Sequence, residues 1–522
     1  MKQVITNYVL RITFYELQTM STFAYWLGFG TFCLIVVGIG LRIYLREARA
    51  GKQLSSNEFW DAKKSLSAGS VGLSISASMM SISWSCVYGV QLFYWYGLGA
   101  AWLLAIPWLM AMAGFFLLAP RFRRLRAFSQ PEMAGQRFGT RTRQLLAVPL
   151  AMVFLIWCGA EMYAAAIILA PLLGTTKYVM LAIIATVVAT YSYLGGFAAV
   201  VSTDKFQYFL AAFFIATMAF FGGQAVLQKT SFTDFLANLP TPPKANAAAI
   251  SLFTAGPALI IMTIVSYLPG WLVETDVWIR LQAARSDTKA RQGVAIAATN
   301  SFIFVGSLPM VIGLSALYLY PPVNGVIPPE IKDGATIFVK LMQDYSPLGL
   351  NVFLGVGLAA VAMSTIDTCG NVAALSVCYD IVTPALRERS SPQLLQLSRR
   401  MTVLALASAF FYSLCIESLW DIFYLSSGIL TTTIFLPMIA IFLPNTKPQQ
   451  VQAAIITGFI GTLLFYFLEN RGYLKAIEPQ WLAVTGVGYI LLGFIASLLA
   501  FVIAGQFRFT ASQVRYASEH TN

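Results

Sequence analysis

The sequence predicts an all-α polytopic membrane protein, and three observations carry that prediction. Of its 522 residues, 58% are hydrophobic and only 11% are charged, against roughly 25% charged in soluble domains. The mean hydropathy is +0.71. The apolar residues also come in runs of about 20, the length a helix needs to cross the hydrocarbon of a bilayer. Short polar loops separate the runs and leave no room for a soluble module.

The runs lie at 22–45, 67–97, 99–120, 145–173, 177–195, 205–228, 249–274, 292–320, 346–380, 400–417, 422–443, 451–469 and 480–505, thirteen in all. They divide the chain into an N-terminal segment with a leading helix and cytoplasmic link (1–66), two sets of five spans (67–228 and 249–443), and two final spans with a tail (451–522). With the N-terminus outside, most of the 34 Lys and Arg residues fall in cytoplasmic segments. This positive-inside bias orients the chain in the plasma (inner) membrane with its C-terminus in the cytoplasm. It also accounts for the net charge of +12, which in a soluble chain would suggest nucleic acid. The expected partner is the lipid bilayer, with no nucleic acid, and nothing in the sequence specifies an oligomer.

Residues 1 to 20 carry no basic region followed by a short apolar region and a cleavage site, so no signal peptide is read. Met20 is an alternative start. The six cysteines are scattered, without a CxxC pair, so neither a disulfide framework nor a zinc site is indicated. The single histidine, His520, lies in the tail, which excludes histidine chemistry in the membrane core.

The second run opens with SLSAGSVGLSISASMMSISWSCVYG, Ser65 to Gly89, where small residues replace large aliphatics. Such residues permit close helix packing, and they also suit an interrupted helix whose freed carbonyls line a cavity. A matching break is expected five spans later in SYLPGWLVETD, Ser266 to Asp276, because Pro269 removes a helix donor and Gly270 adds freedom. Corresponding interruptions in two halves are the mark of transporters with inverted repeats.

Between them, IWCGAEMYAAA places Trp157 and Glu161 at membrane depth, where an ionised side chain costs about 3 kcal/mol or more unless it is paired. The stretch YSYLGGFAAVVSTDKFQ, Tyr191 to Gln207, reads as a loop at Gly195 and Gly196, and Asp204 with Gln207 reads equally as a helix N-cap with a capping box. The segment Asp276 to Gly293 reads as a basic cytoplasmic loop, and Tyr320 to Ser346 as an external loop with a cap helix. The spans after Lys447 carry no polar constellation and read as scaffold or oligomer contacts.

The most informative stretch is GLAAVAMSTIDTCGN, Gly357 to Asn371. At 3.6 residues per turn Val361, Ser364, Thr365 and Thr368 share one helix face, with Asp367 a turn beyond Ser364. Hydroxyls, a carboxylate and carbonyls suit a hard cation.

Taken together, YSYLGGFAA, the following Thr203, Asp204 and Gln207, the IRLQAARSDTKAR loop and AMSTID resemble the sodium:solute symporter family, over about Ser65 to Asp380. The resemblance implies a LeuT-like fold, with one leading helix and two inverted five-helix repeats. It implies a sodium site formed by carbonyls of Ala77, Met80 and Val361 and hydroxyls of Ser364 and Thr365. Asp204, Asp367 and Thr368 match positions that form or adjoin a second cation site in some members. Ser81, Trp84, Trp157, Glu161, Tyr267, Trp271 and Glu274 match positions that face the substrate. There are departures: Met79 stands where the proline transporters carry an aspartate, and Glu274 with Thr275 stand where relatives often have an amide.

The implied activity is sodium-coupled symport of a small polar organic solute (an amino acid, sugar or organic acid) by alternating access, with Na+ as coupling ion. No other cofactor, no transition-metal site and no enzymatic activity are expected. The alternatives are a proton-coupled carrier using Glu161, Asp204 or Asp367, and a sensor that keeps a transporter fold. Glu161 and Glu274 hint at a substrate with a cationic group.

Overall fold

The computed structural model describes residues 2–49, 65–124, 127, 129–245, 247–385, 391–416 and 418–506. The basic link through Lys63 and Lys64 and the tail with His520 lie outside the described residues. The described chain is helical, and its only β pairings are isolated bridges, Leu66 with Ala284 and Val323 with Val326. Helices dominate because a span in lipid must satisfy every backbone donor and acceptor within itself.

In order, the main helices are α1 (Lys2–Arg49), α2 (Ala68–Met79), α3 (Val90–Tyr96), α4 (Ala105–Arg123), α5 (Gln130–Phe138), α6 (Thr140–Leu172) and α7 (Lys177–Leu227). They continue as α8 (Pro257–Trp271), α9 (Thr275–Ala283), α10 (Asp287–Ser301), α11 (Leu308–Leu319), α12 (Ile337–Tyr345) and α13 (Leu348–Leu375). Last come α14 (Ser391–Ser413), α15 (Leu419–Ile429), α16 (Pro448–Asn470) and α17 (Gly488–Gln506). Local sequence sets several starts. Ser67, Ser129, Thr176, Ser286 and Ser418 each accept a backbone N–H of the first turn that follows, satisfying a donor that has no partner inside the helix.

Among the described residues ten helices are long and apolar enough to cross a membrane, and eleven if the bent pair Ala68–Met79 and Ile82–Trp102 counts as one span. Length and apolarity therefore do not by themselves reach the thirteen expected. The run expected at 99–120 is the shorter apolar helix Ala105–Arg121, because Gly97–Trp102 forms a tight 3-10 turn. The run at 400–417 falls on α14.

The first expected interruption is present, and the second falls just beyond Pro269 and Gly270, which remain inside the helix. After α2 the chain breaks at Met80 and Ser81, where ψ reaches 49° and 146°, and resumes through a π-helical stretch, Ile82–Gly89, bent by 52°. After α8 it breaks over Leu272 to Glu274, and Glu274 is extended. A side chain from another stretch enters the backbone ladder of α8 beside Pro269. Thr431 Oγ1 donates to Ser266 O at 2.5 Å and accepts from Gly270 N at 2.9 Å. Those are the two backbone groups an unbroken helix would have paired, so the hydroxyl is a wedge in the ladder. Gly270 permits it, since a Cβ there would stand 2.9 Å from Thr431 Oγ1.

The stretch from Tyr191 to Gln207 is a correction to the sequence reading. One span ends at Gly196, as expected, with φ 54° and ψ −149°, but the next begins at Ala199 with no loop between. That conformation is open to glycine alone, so one residue kinks the helix and the helix then resumes. Asp204 is consequently eight residues past the joint, buried inside the helix, and not its N-cap.

α13 sits at the centre and packs against α6, α7, α1, α2 and α14. α16 and α17 pack mainly on each other and on the α15 side. Backbone and side-chain groups of Lys244, Ala249 and Thr254 meet the end of α3. Lys244 N donates to Trp95 O at 3.1 Å and Leu98 N to Ala249 O at 2.8 Å, and Thr254 Oγ1 donates to Tyr96 O. Gly97, at φ 55°, makes this approach possible, because a Cβ there would lie 2.2 Å from Ala249 O. Replacing Gly97 by alanine is expected to cost at least about 1–3 kcal/mol through backbone strain alone and to lower the melting midpoint in detergent by several degrees. Gly30→Ala, at a helical site with nothing within 4 Å, is the neutral control.

Candidate functional site

The site is built where the broken α2 meets α13. Ser364 Oγ donates to Ala77 O at 2.9 Å and Thr365 Oγ1 to Ser78 O at 3.1 Å. The last turn of α2 leaves these carbonyls without helical partners because the chain turns away at Met80, and the two hydroxyls of α13 meet them. Ala77, Met80, Val361, Ser364 and Thr365 are all buried. The structure thus brings Ala77, Ser364 and Thr365 of the expected sodium residues together, with the Ser78 carbonyl on Thr365.

The expected second-cation residues are arranged differently. Arg280 of α9, wholly buried, puts its guanidinium among them. Nη2 donates to Thr368 Oγ1 at 2.9 Å and lies 3.4 Å from Asp204 Oδ2. Nη1 reaches Asp276 Oδ2 at 3.2 Å, and Nε donates to Ser74 Oγ at 2.7 Å. Ser74 in turn donates to Asp204 Oδ2 at 2.5 Å. One guanidinium therefore joins α2, α7, α9 and α13. Asp367 accepts from Tyr191 OH at 2.6 Å, and its other oxygen is buried without a hydrogen-bond partner.

Above the break lies a cavity of ≈ 60 Å³, well below the ~300–1,000 Å³ usual for small-molecule sites, so its walls are drawn close. Of the expected substrate-facing residues, Ser81, Trp84, Trp157, Glu161, Trp271 and Glu274 line it. Tyr267 does not. It lies behind Trp271, stacked on that ring at 4.6 Å and on Tyr424 at 4.8 Å.

Glu161 is held by the broken helix itself. Its carboxylate accepts from the hydroxyls of Ser81 and Ser83 and from the backbone N–H groups of Ile82 and Ser83 at 3.2 Å. A carboxylate there matches both the free donors and the positive end of a helix start. Trp84 meets Trp271 at 5.4 Å and 90°, and Phe423 at 4.8 Å and 76°, so three rings form a corner. Trp157 is oriented by its Nε1–H on Ser426 Oγ at 2.6 Å.

Sequence reasoning missed several contributors. Ser83 repeats the spacing of Ser81 in a serine-rich run, a signal that was available. Phe423 and Trp108 line the cavity with no local mark. Gln130 of α5 secures the second break, with Nε2 donating to Val273 O at 2.6 Å and Oε1 accepting from Thr275. Outside the spans, Lys244 Nζ lies 3.0 Å from the centroid of the Trp95 ring, and burial lowers its pKa, opposed by nearby Asp333.

A model of the sodium:solute symporter family matches residues 59–456. The human sodium/iodide cotransporter is 26% identical over 74% of this chain and 60% of its own length. The sodium/glucose cotransporter of Vibrio parahaemolyticus is 25% identical over 73% of each chain. A solved structure of a Na+-coupled sialic acid symporter, substrate-bound and outward-open, aligns at 16% identity with a TM-score of 0.68, over 92% of this chain and 97% of that one. At that identity the likeness establishes the fold, which is LeuT-like.

Proposed function

Because this chain belongs to the sodium:solute symporter family, we propose that it is a sodium-coupled secondary active symporter importing a small polar organic solute by alternating access. Residues 67–228 and 249–443 are then its two inverted repeats, and 1–66 and 451–522 its flanking segments, in a plasma membrane with the N-terminus outside and the C-terminus in the cytoplasm.

The observation that carries the reading is the meeting of Ser364 and Thr365 with the freed carbonyls of Ala77 and Ser78. Sodium is the transported ion that would sit among these oxygens, with Met80 and Val361 supplying further carbonyls. It ties the broken helix to α13, favouring the state that binds solute, and binding of each then strengthens binding of the other. The position at Asp204 and Thr368 is held by Arg280, so one sodium is assigned per cycle. One sodium moving down 100 mV supplies about 2.3 kcal/mol, enough for a roughly fiftyfold solute gradient.

The test is solute uptake into proteoliposomes of the purified protein under an inward sodium gradient. Uptake that follows sodium with a Hill coefficient near one supports the reading. A proton-coupled carrier is the second reading, favoured by the unpartnered oxygen of Asp367. Uptake driven by a pH gradient at zero sodium would select it and would discard the first.

A further inference from the structure

Given the symport reading above, we propose that the transported solute is an organic cation, an amine or quaternary ammonium, whose charge is taken by Glu274 and by the rings of Trp84, Trp271 and Phe423. Three independent features point there.

The first is what already fills the anion position. In transporters built on broken helices, the free start of a half-helix is where a substrate carboxylate is held. Here Glu161 occupies that place, accepting from Ser81, Ser83 and Ile82. The donors that would recognise an incoming carboxylate are spent on a fixed one, and the fixed charge repels a second.

The second is the charge balance. The described lining of the cavity carries Glu161, Glu274 and Asp276, and no lysine, arginine or histidine. Glu161 is met by the donors of the helix start. Asp276 faces Arg280 and accepts from Ser78 Oγ at 3.2 Å. Glu274, 4% exposed and at the extended corner between α8 and α9, adds a further carboxylate next to Asp276. A cationic solute gives the buried Glu274 an opposite charge to face, which a neutral or anionic solute does not.

The third is the wall. Trp84 meets Trp271 at 90° and Phe423 at 76°, and all three rings line the one small cavity. Ring faces bind cations by their quadrupole, and a cage of them suits quaternary ammonium groups. An aromatic column continues from these rings: Trp84 to Tyr88 at 5.4 Å, Tyr88 to Trp420 at 6.1 Å, and Trp420 to Trp95 at 6.3 Å. At its far end the chain's own ammonium, Lys244, already lies on Trp95.

The experiment uses the purified full-length protein, wild type and Glu274→Gln, and reads melting midpoint and tryptophan fluorescence. The probes are choline, tetramethylammonium and butylamine, set against propionate and glucose, each with and without sodium. The expected result is that one or more of the amines raises the midpoint and quenches fluorescence, that propionate and glucose do neither, and that E274Q weakens amine binding at least tenfold. A retained midpoint rise with sodium alone shows that the variant is folded. Stabilisation by propionate or glucose, no effect of any amine, or equal amine binding in E274Q overturns the assignment. The two readings fail separately. Sodium-dependent binding of glucose or propionate leaves symport standing without the cation, whereas amine binding indifferent to sodium leaves the cation site standing without symport.

Discussion

Arg280→Ala is expected to be the most damaging single substitution in the protein, reducing the yield of folded, monodisperse material in detergent to a small fraction of wild type. The guanidinium is the shared partner of Asp204 and Asp276, and it also donates to Ser74 and Thr368. Deleting one partner of a buried ion pair costs about 3–5 kcal/mol because the other charge is left uncompensated. Here two carboxylates lose their partner at once, against a total stability of about 5–15 kcal/mol typical of folded proteins. Arg280→Lys keeps the charge but gives up the planar fork that reaches several acceptors together, so it should fall between the two. Adding Asp204→Asn to Arg280→Ala should recover part of the loss by removing one stranded charge. A melting midpoint for Arg280→Ala equal to wild type would mean that the node does not bear on stability.

The second large effect is on sodium. Substituting Ser364 and Thr365 together by alanine is expected to raise the sodium concentration for half-maximal uptake by about thirtyfold. This takes about 1 kcal/mol for each hydroxyl lost, with a factor of ten for every 1.4 kcal/mol. The substituted protein should fold, because two small side chains change and the surrounding packing of Ala77, Val361 and Met80 is untouched. Its melting midpoint should no longer rise with added sodium, since the rise follows from preferential binding to the folded state. Sodium dependence identical to wild type would remove the assignment of these hydroxyls.

The parts of this site that were legible were those where polarity contradicts its surroundings. Ser364 and Thr365 stand out in an apolar span, and the small residues before Met80 announce a break, so both halves of their meeting could be foreseen. Glu161 was visible for the same reason, but its partners were not, because contact with Ser81 and Ser83 depends on how α6 crosses the break. Asp204 was misplaced because the pair Gly195 and Gly196 signals a loop, whereas only Gly196 departs from helix and the chain then continues. Tyr267 shares a helix face with Trp271, yet stacking on Trp271 and Tyr424 turns it away from the cavity. Phe423, Gln130 and Thr431 act through long-range contacts that leave no periodic trace.

The hydroxyl of Thr431 stands in for a helical hydrogen bond between Ser266 and Gly270. The backbone of α8 is thereby joined to the stretch Leu430–Phe435, so the end of the helix that carries Trp271 is tied to residues more than 150 positions further along the chain.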